Sequence, residues 1–470
     1  MNAKARNLTG ILLAMSLTGL TQTMVATAMP SITAELGGGE LYSWVFGAYL
    51  LAISAPMLLY GKLADEIGWR PVLIAGIALF LTGTGLAGTS RTMGQLVAYR
   101  VLQGVGAGLL STSVLAAVGA LFEGKERARL FGYLGTVQVL ANLAGPLLGG
   151  WITDTAGWRW CFWLVLPFGL AVASLQLSGL RSEGRVPLGR LRGLDWPVFA
   201  ALSAGPAVLL AGIQAWRNHP ETWELWLLLI AASVLFMGWQ FSRQSAKEEP
   251  VLPPAVFRHP VLRNVLLGAC MAGLIQNASI SYIPYVAHAV FGGGSATRSG
   301  LILFPVVLGA GVSGIVGGRL AGKWTYVRIA TFGWSVNGAG FFLLAYQLGD
   351  ARQPLMIAAS LLIGLGIGFQ LPSLLLEAQD ALGPAMRGMA GGLIQMARNL
   401  GGATGIPLLG AWLPSAAGVY SLTASASLLY TMAAIAGVSL AASRVLGTAG
   451  KRRDEDVGRP GQGGQTMKEG

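Results

Sequence analysis

Two arginines, Arg100 and Arg398, stand inside long apolar stretches and are the residues best placed to do chemistry in this chain. A charge at the centre of a membrane span costs about 2.5 to 3.5 kcal/mol on insertion scales, so each guanidinium must face a polar cavity or backbone carbonyls. The middles of the apolar stretches contain no Asp or Glu. Two interpretations stay open. The arginines brace neighbouring helices, Arg100 through Gln22, or they attract an anionic group or counter the charge of a titrating group.

Neutral polar side chains in the same stretches would be costly against lipid and predict a cavity for a small-molecule substrate. The predicted lining is Thr18, Gln22, Gln138, Asn142, Gln276, Asn277, Gln370, Gln395 and Arg398. The same argument extends to a wider set, Trp44, Tyr49, Tyr282, Tyr285, Trp334, Asn337 and Asn399. Amides and aromatic faces suit bulky amphiphilic solutes. The alternative is that these polar groups only join helices or that the aromatic ones anchor span ends.

Residues typical of catalysis do not form a pattern. His219, His259 and His288 are scattered, without metal-ligand spacing. The segments GVGAG and GLGIG lie inside apolar stretches without the strand, lysine and acid that nucleotide binding needs. We therefore expect no enzyme activity, no cofactor and no metal, and an ion gradient as the energy source. Candidates for a proton-coupling group are Glu377, Asp154 and His288.

The composition places these residues in a membrane. The 470 residues are 53% hydrophobic and only 11% charged, whereas soluble domains carry roughly 25% charged residues. The net charge of +12 does not indicate nucleic acid, because the chain has no basic soluble segment. A lipid bilayer is the partner that this composition implies.

Fourteen apolar stretches are separated by short polar segments, and each is long enough to be a membrane-spanning helix. They lie near 8–30, 43–60, 71–89, 95–119, 130–152, 160–180, 196–214, 223–242, 264–287, 299–318, 328–348, 354–376, 388–412 and 418–443. With a cytoplasmic N-terminus, the outer segments receive only Arg91, Arg159, Arg217, Arg298 and Arg352 of the 32 basic residues. Basic residues resist translocation, so this bias predicts that both termini are cytoplasmic.

The chain contains an internal repeat. Four pairs of segments match in order: 12–30 with 266–284, 61–76 with 318–333, 104–108 with 364–368, and 146–151 with 407–412. We therefore predict a six-helix bundle over 1–192, two inserted helices over 193–245, a second six-helix bundle over 246–446 and a disordered cytoplasmic tail over 447–470. Repeated bundles place a binding site between the halves near the membrane midplane and work by rocking one half against the other.

A specific motif, GKLADEIGWRP, stands at the turn after the second stretch, with Gly61, Asp65, Gly68 and Arg70 at its key positions. It resembles the signature loop of the major facilitator superfamily. The resemblance implies a conformational latch, in which the acid meets the start of the next helix and a nearby arginine.

Two further motifs extend the resemblance to nearly the whole chain. YRVLQGVGAG resembles the superfamily's span 4 motif, placed here on Arg100, Gln103 and Gly104. ANLAGPLLGG resembles its antiporter motif, placed on Gly145, Pro146, Gly149 and Gly150 and associated with export. With fourteen stretches, the chain looks most like the fourteen-helix drug:proton antiporter branch. The implied fold is two six-helix bundles with two inserted central helices.

Two positions depart from the pattern. Thr21 stands where the branch carries an acid in span 1, and Gly322 stands where the second copy of the loop would repeat Asp65. We expect a proton-coupled exporter of drugs or amphiphilic metabolites in the cell membrane, working as a monomer by alternating access. One alternative is a dedicated exporter of an anionic metabolite or siderophore. The other is a membrane sensor on the same scaffold that does not transport.

Overall fold

The computed structural model describes residues 3–54, 56–122, 124–177, 208, 212, 223–245, 260–291, 295–321, 323–350, 352–382, 387–410 and 421–457. These residues form fifteen α-helices and one short 3-10 helix, Gly39–Leu41, with no strand among them. Helices are expected because a long apolar segment in lipid must satisfy its backbone hydrogen bonds internally. The all-helical class predicted from the sequence is confirmed.

The first part of the chain contains eight helices. They are α1 Ala3–Leu36, α2 Tyr42–Ser54, α3 Met57–Ile67, α4 Trp69–Gly88, α5 Met93–Leu121, α6 Gly124–Ala156, α7 Trp160–Trp163 and α8 Val165–Leu177. The second predicted stretch is divided into α2 and α3 by Pro56, which has no backbone N–H to continue the α2 ladder. Gly68 joins α3 to α4 with a φ of 89°, a conformation that side chains disfavour.

The rest of the chain contributes seven helices among the described residues. They are α9 Trp223–Ser245, α10 Pro260–Val290, α11 Ala296–Leu320, α12 Tyr326–Tyr346, α13 Gln353–Leu382, α14 Arg387–Leu409 and α15 Leu422–Val457. Helix α9 corresponds to the second of the two inserted stretches. The first, 196–214, lies outside the described residues apart from 208 and 212.

Eight of the helices in the described ranges are long and apolar enough to cross a membrane. They are α1, α4, α5, α10, α11, α12, α13 and α15. A chain with this many apolar helices is a multi-pass membrane protein. The total of fourteen spans and the orientation of the termini stay predictions.

The start of the C-terminal tail differs from the prediction. Disorder is predicted from Gly447, but α15 continues to Val457. The physical reason is helix propensity: Lys451, Arg452 and Glu455 are residue types that favour a helix. Residues 458–470 lie outside the described ranges.

The helices pack in the same pattern twice. In the first part α1 packs on α6, while α5 packs on both α2 and α4. In the last part α10 packs on α14, while α13 packs on both α11 and α12. The repeated segments found in the sequence therefore make equivalent contacts. We call these two groups, α1–α8 and α10–α15, the first and second halves.

The glycines of GVGAG and GLGIG explain how α5 and α13 approach their neighbours so closely. A Cβ on Gly104 would stand 2.6 Å from the carbonyl oxygen of Tyr49, and one on Gly364 would stand 2.0 Å from that of Val306. Gly106 likewise leaves no room for a side chain against Phe80. The two segments are equivalent helix-packing sites and do not form a nucleotide loop.

The halves contact each other through two equivalent pairs of helices, α6 with α11 and α2 with α14. We call the end of the bundle at which α1 begins the near end, and the end at which it finishes the far end. At the far end the two halves are in direct contact. A Cβ on Gly150 would stand 2.7 Å from the Ala296 carbonyl oxygen, and Tyr42 donates a hydrogen bond of 2.8 Å to the Ser281 carbonyl.

Candidate functional site

A cavity of about 930 Å³ lies between the two halves. Its walls come from α1, α2, α3, α5, α6, α10, α13 and α14. On α1 the lining residues fall between 15 and 22, and on α14 they fall between 391 and 399. The range on α1 spans the middle of that helix, and the range on α14 lies mainly in its near half. The cavity therefore extends from the middle of the bundle toward the near end, while contacts between the halves close the far end.

Eight of the nine side chains predicted to form a substrate cavity line this single cavity. They are Thr18, Gln22, Gln138, Asn142, Gln276, Asn277, Gln395 and Arg398. The ninth, Gln370, is fully buried within α13 beside Gly333 of α12 and lies outside the lining. Of the wider set, Tyr49 and Asn399 line the cavity. Trp44, Tyr282, Tyr285, Trp334 and Asn337 are not part of its wall.

Sequence reasoning missed two polar residues of the wall, Ser111 and Gln379. Ser111 falls in a small-residue run of α5 that looks like ordinary helix packing. Gln379 stands near the end of α13, where polar residues are common at a membrane surface. The types of these two residues carried no signal of a cavity.

A polar contact between the two halves forms part of the cavity wall. Gln22 on α1 donates from Nε2 to Asn277 Oδ1 on α10 over 3.0 Å. Asn277 in turn donates from Nδ2 to the Gly273 carbonyl at 2.8 Å, which fixes its orientation. Two neighbouring amide oxygens, Gln138 Oε1 and Gln276 Oε1, are buried without a hydrogen-bond partner in the described part of the chain.

Arg398 is the one charged side chain among the described residues that line the cavity. Its guanidinium donates to Gln395 Oε1 at 2.7 Å, and Gln395 donates to Asn399 Oδ1 at 3.2 Å. Among the described residues no carboxylate lies within 4.0 Å of Arg398. The cavity therefore carries an unneutralised positive charge surrounded by amides.

Arg100 occupies a different environment, and the expected contact with Gln22 is wrong. Its side chain is fully buried between α5 and α2, where Nε donates to the Val45 carbonyl at 3.2 Å. The guanidinium also bonds Gln103 and lies 3.8 Å from the centroid of the Tyr49 ring. Arg100 therefore braces α2 against α5, and it is Tyr49, not Arg100, that lines the cavity.

Gln103 and Gly104 complete this packing site. Gln103 donates from Nε2 to Thr84 Oγ1 on α4 at 2.6 Å, so the Arg100 bracing reaches a third helix. Gly104 lets the α5 backbone contact α2. The three residues of the predicted span 4 motif thus act together as a structural unit.

The residues of the predicted latch lie around the α3–α4 turn at the near end. Gly61 and Asp65 belong to α3, Gly68 forms the turn, and Arg70 is in the first turn of α4. The Arg70 guanidinium lies 5.1 Å from the Trp69 ring centroid. The side chain of Asp65 and the whole of Gly322 lie outside the described part of the structure. The latch therefore stays a prediction.

The predicted antiporter motif is the contact surface of α6. A Cβ on Gly145 would stand 1.8 Å from Thr23 Oγ1 on α1, and one on Gly149 would stand 2.6 Å from Met24 Cα. Gly150 faces the other way and packs α6 on the start of α11. The Pro146 carbonyl meets Gly300 of α11. The motif therefore joins α6 to α1 within its half and to α11 across the halves.

The three coupling candidates lie apart from one another, and none lines the cavity. Asp154, at the far end of α6, caps α11. It accepts hydrogen bonds from the backbone N–H groups of Ala296 and Thr297 at 2.8 and 3.0 Å. It also accepts from the hydroxyl groups of Ser295 and Thr297. His288 lies in the last turn of α10. Glu377 lies in α13 between the lining residues Leu375 and Gln379.

A metal site is not apparent in the described ranges, where no three His, Cys, Asp or Glu side chains cluster. The arrangement has the features of a transport cavity: two equivalent bundles, a chamber between them, and one closed end. Alternating-access membrane carriers are built in this way. A sequence profile of the Major Facilitator Superfamily matches residues 11–406, and the chain belongs to this superfamily of transporters.

Two curated relatives are drug transporters by name. The chain is 30% identical over 412 residues to the multidrug transporter protein MdtP of Bacillus subtilis (strain 168), covering 87% of this chain and 75% of that protein. It is 28% identical over 404 residues to multidrug resistance protein 3 of the same strain, covering 85% and 78%.

Among solved structures, a bacterial homolog of the human lysosomal transporter Spinster, in an inward-facing and unoccupied conformation, shares the fold. The TM-score is 0.65 at 14% identity, covering 95% of this chain and 98% of that one.

Proposed function

We propose that this protein is a secondary active exporter of drugs or amphiphilic metabolites, of the fourteen-helix drug:proton antiporter branch. The cavity between the two equivalent halves carries this proposal, because it combines neutral amides with apolar side chains such as Leu50, Ile53 and Met57. Its volume falls in the range of sites for drug-sized ligands, roughly 300 to 1,000 Å³. The relatives named for multidrug transport support the same substrate class.

In the orientation predicted from the basic residues, the near end is cytoplasmic. The protein would then lie in the cell membrane with both termini inside, and the cavity would face the cytoplasm. This is the conformation that loads substrate for export. Rocking of the halves about the α6–α11 and α2–α14 contacts would open the far end and release the substrate outside. No contact in this scheme requires a second copy, so the monomer is the proposed unit.

Among the three coupling candidates, we propose Glu377 as the proton-binding group. Asp154 is held by several hydrogen bonds at the far end. Glu377 has no hydrogen bond or ion pair within the described ranges, so its carboxyl group is not committed to a structural contact there. A carboxyl group without such contacts can take up and release a proton and so change its charge during the cycle.

The proposal is tested by export from cells that lack their own drug pumps. Cells expressing the protein are loaded with anionic, neutral and cationic fluorescent amphiphiles, and export is followed with and without a protonophore. We expect faster export of at least one class of compound, abolished by the protonophore. Absence of export for every compound would refute transport and favour a sensor.

The role of Glu377 is tested in the same assay by Glu377→Gln. This variant cannot titrate, so we expect export against a gradient to fall to the level of protonophore-treated cells. Facilitated exchange of dye across vesicles should persist, because the cavity is intact. The matched control is Asp380→Asn, an exposed acid on the same helix that bonds Tyr326. Uphill export by Glu377→Gln at the wild-type rate would rule out this assignment.

A further inference from the structure

We infer that the cavity takes organic anions, and that Arg398 binds their negatively charged group. This inference rests on the proposed function, because it treats the cavity as the transport site. It names the substrate class within that function. An acid in the wall would favour organic cations, and the described lining contains none.

The charge of the cavity is the first step of the argument. Arg398 contributes the one formal charge of the described wall, and the polar remainder consists of amides and hydroxyls. Burial between the two halves lowers the effective dielectric constant, which strengthens the attraction between a guanidinium and a carboxylate or sulfonate. The same positive charge would repel a cationic ligand.

The second step is that Arg398 is free to bind a ligand. Within the described ranges its hydrogen-bond partner is Gln395, and a guanidinium carries five N–H donors. A charged group inside an apolar helix bundle costs free energy unless it interacts with a partner such as a ligand. Arg100 differs because it is not part of the cavity wall: its guanidinium donates to Val45 and Gln103 and lies over the Tyr49 ring.

The third step is that the guanidinium is held in position. A Cβ on Gly273 of α10 would stand 1.8 Å from the Arg398 carbonyl oxygen, so the two backbones are in direct contact there. Gln395, one turn earlier on α14, accepts from the guanidinium at 2.7 Å and is itself bonded to Asn399. A guanidinium that is already ordered loses little freedom on binding a planar anion such as a carboxylate.

The rest of the wall requires that the anion be organic. A cavity of about 930 Å³ is far larger than an inorganic ion, and Leu50, Ile53 and Met57 offer apolar surface. The free oxygens of Gln138 and Gln276 can accept hydrogen bonds from hydroxyl or N–H groups of the ligand. The preferred ligand is therefore an amphiphile with one acidic group and a few hydrogen-bond donors.

Binding of two xanthene dyes of similar size and opposite charge tests the inference. Carboxyfluorescein is the anion and rhodamine 123 is the cation, and each is titrated with purified full-length protein while its fluorescence anisotropy is followed. We expect the wild-type protein to bind the anion at least about tenfold more tightly, since hydrogen bonds between charged groups are worth that much. Arg398→Gln should weaken anion binding about tenfold or more without weakening cation binding.

A second variant keeps Arg398 but pairs its guanidinium with a carboxylate, so that it can no longer bind a ligand anion. Gln395→Glu places a carboxylate where the amide oxygen now bonds the guanidinium, so we expect the same loss of anion affinity. Arg398→Lys keeps the charge and should retain part of the affinity. The matched control is Arg319→Gln, which removes an equal charge from an exposed position on α11. It should bind both dyes as the wild type does.

Three results would overturn the inference: equal affinity for the two dyes, no binding of the anion, or unchanged anion binding in folded Arg398→Gln and Gln395→Glu. Thermal unfolding and gel filtration report whether each variant is folded. Export from cells separates this inference from the proposed function. Export of cationic dyes with rejection of anions would support an exporter and refute anion selectivity. Selective anion binding without any export would support anion selectivity and refute the proposed export.

Discussion

The carboxylate of Asp154 carries out a structural task that its position in the sequence does not reveal. It belongs to α6, yet it caps the first turn of α11 through the backbone N–H groups of Ala296 and Thr297. The cap ties the two halves together at the far end. Any movement that separates α6 from α11 at that end must break it, so this residue contributes to the stability of the far-end-closed state.

Replacing this residue should shift the protein toward the far-end-open state. Loss of an N-cap costs about 1 kcal/mol, which corresponds to a roughly fivefold change in population. In Asp154→Ala, spin labels at Arg91→Cys and Arg352→Cys should report a larger share of long distances. Both positions are exposed far-end turns, one in each half, and Cys270→Ser removes the partly accessible native thiol.

The control for this measurement is Thr155→Ala. Thr155 is exposed beside Asp154, but its hydroxyl bonds the Trp151 carbonyl of its own helix. Its distance distribution should match the wild type. If Asp154→Ala also gives the wild-type distribution, the cap does not set the balance between the two states.

Arg100 and Arg398 show what the sequence can and cannot predict about single residues. Both are lone arginines in apolar stretches, and both have glutamine three residues away. The local pattern indicates the depth of each residue in the bundle. Which side of the helix faces the cavity depends on contacts between helices far apart in the chain, so the pattern could not separate the brace from the cavity residue. For the same reason the pattern predicts Gln370 in the cavity, although the structure buries it within α13.

At the scale of helices, the small residues of α6 decide how the first half is assembled. Thr23, Met24 and Thr27 of α1 occupy the space over Gly145 and Gly149. In the second half, Gly401 and Gly405 of α14 make the equivalent contact with α10. In lipid no hydrophobic effect drives helices together. Direct backbone contact increases the dispersion attraction that holds them instead. This is a physical reason for the glycines of the motif that holds whether the protein exports or imports.

Two glycines of α6 provide a matched test of this contact. A methyl group on Gly149 would stand 2.5 Å from Thr27 Oγ1 and 2.6 Å from the backbone of Met24, whereas Gly132 has nothing within 4 Å. Gly149→Ala must push α6 away from α1, and overpacking of this kind costs typically 1 to 3 kcal/mol. Gly132→Ala should be neutral or stabilising by up to about 1 kcal/mol, because alanine favours a helix. Thermal unfolding in detergent measures both, and equal unfolding temperatures would contradict the assigned contact.

Most helices were predictable because the apolar stretches are long and lipid leaves a helix as their main option. Breaks and ends were less predictable. Pro56 divides a single apolar stretch into α2 and α3, although proline inside α1, α6 and α10 leaves the helix continuous. Neighbouring helices decide whether a proline breaks a span, so the residue type alone does not settle it.

For the whole molecule, the distribution of basic residues predicts which end of the bundle faces the cytoplasm. The open end of the cavity provides a position at which this prediction can be measured. Leu115 lines the cavity toward the near end and is 39% exposed. Arg91 is exposed at the far end, between α4 and α5. If lysine and arginine have retained the near end in the cytoplasm, the two positions must react from opposite sides of the membrane.

A membrane-impermeant maleimide tests this with Leu115→Cys and Arg91→Cys, each in a Cys270→Ser background. In intact cells we expect Arg91→Cys to be labelled and Leu115→Cys to be protected. In inside-out vesicles the pattern should reverse, since the cavity then opens to the medium. The background protein should stay unlabelled in both, because its remaining thiol, Cys161, is buried. Labelling of Leu115→Cys in intact cells but not in inside-out vesicles would place the near end outside. The cavity would then be loaded from outside, and the direction of transport would have to be reconsidered.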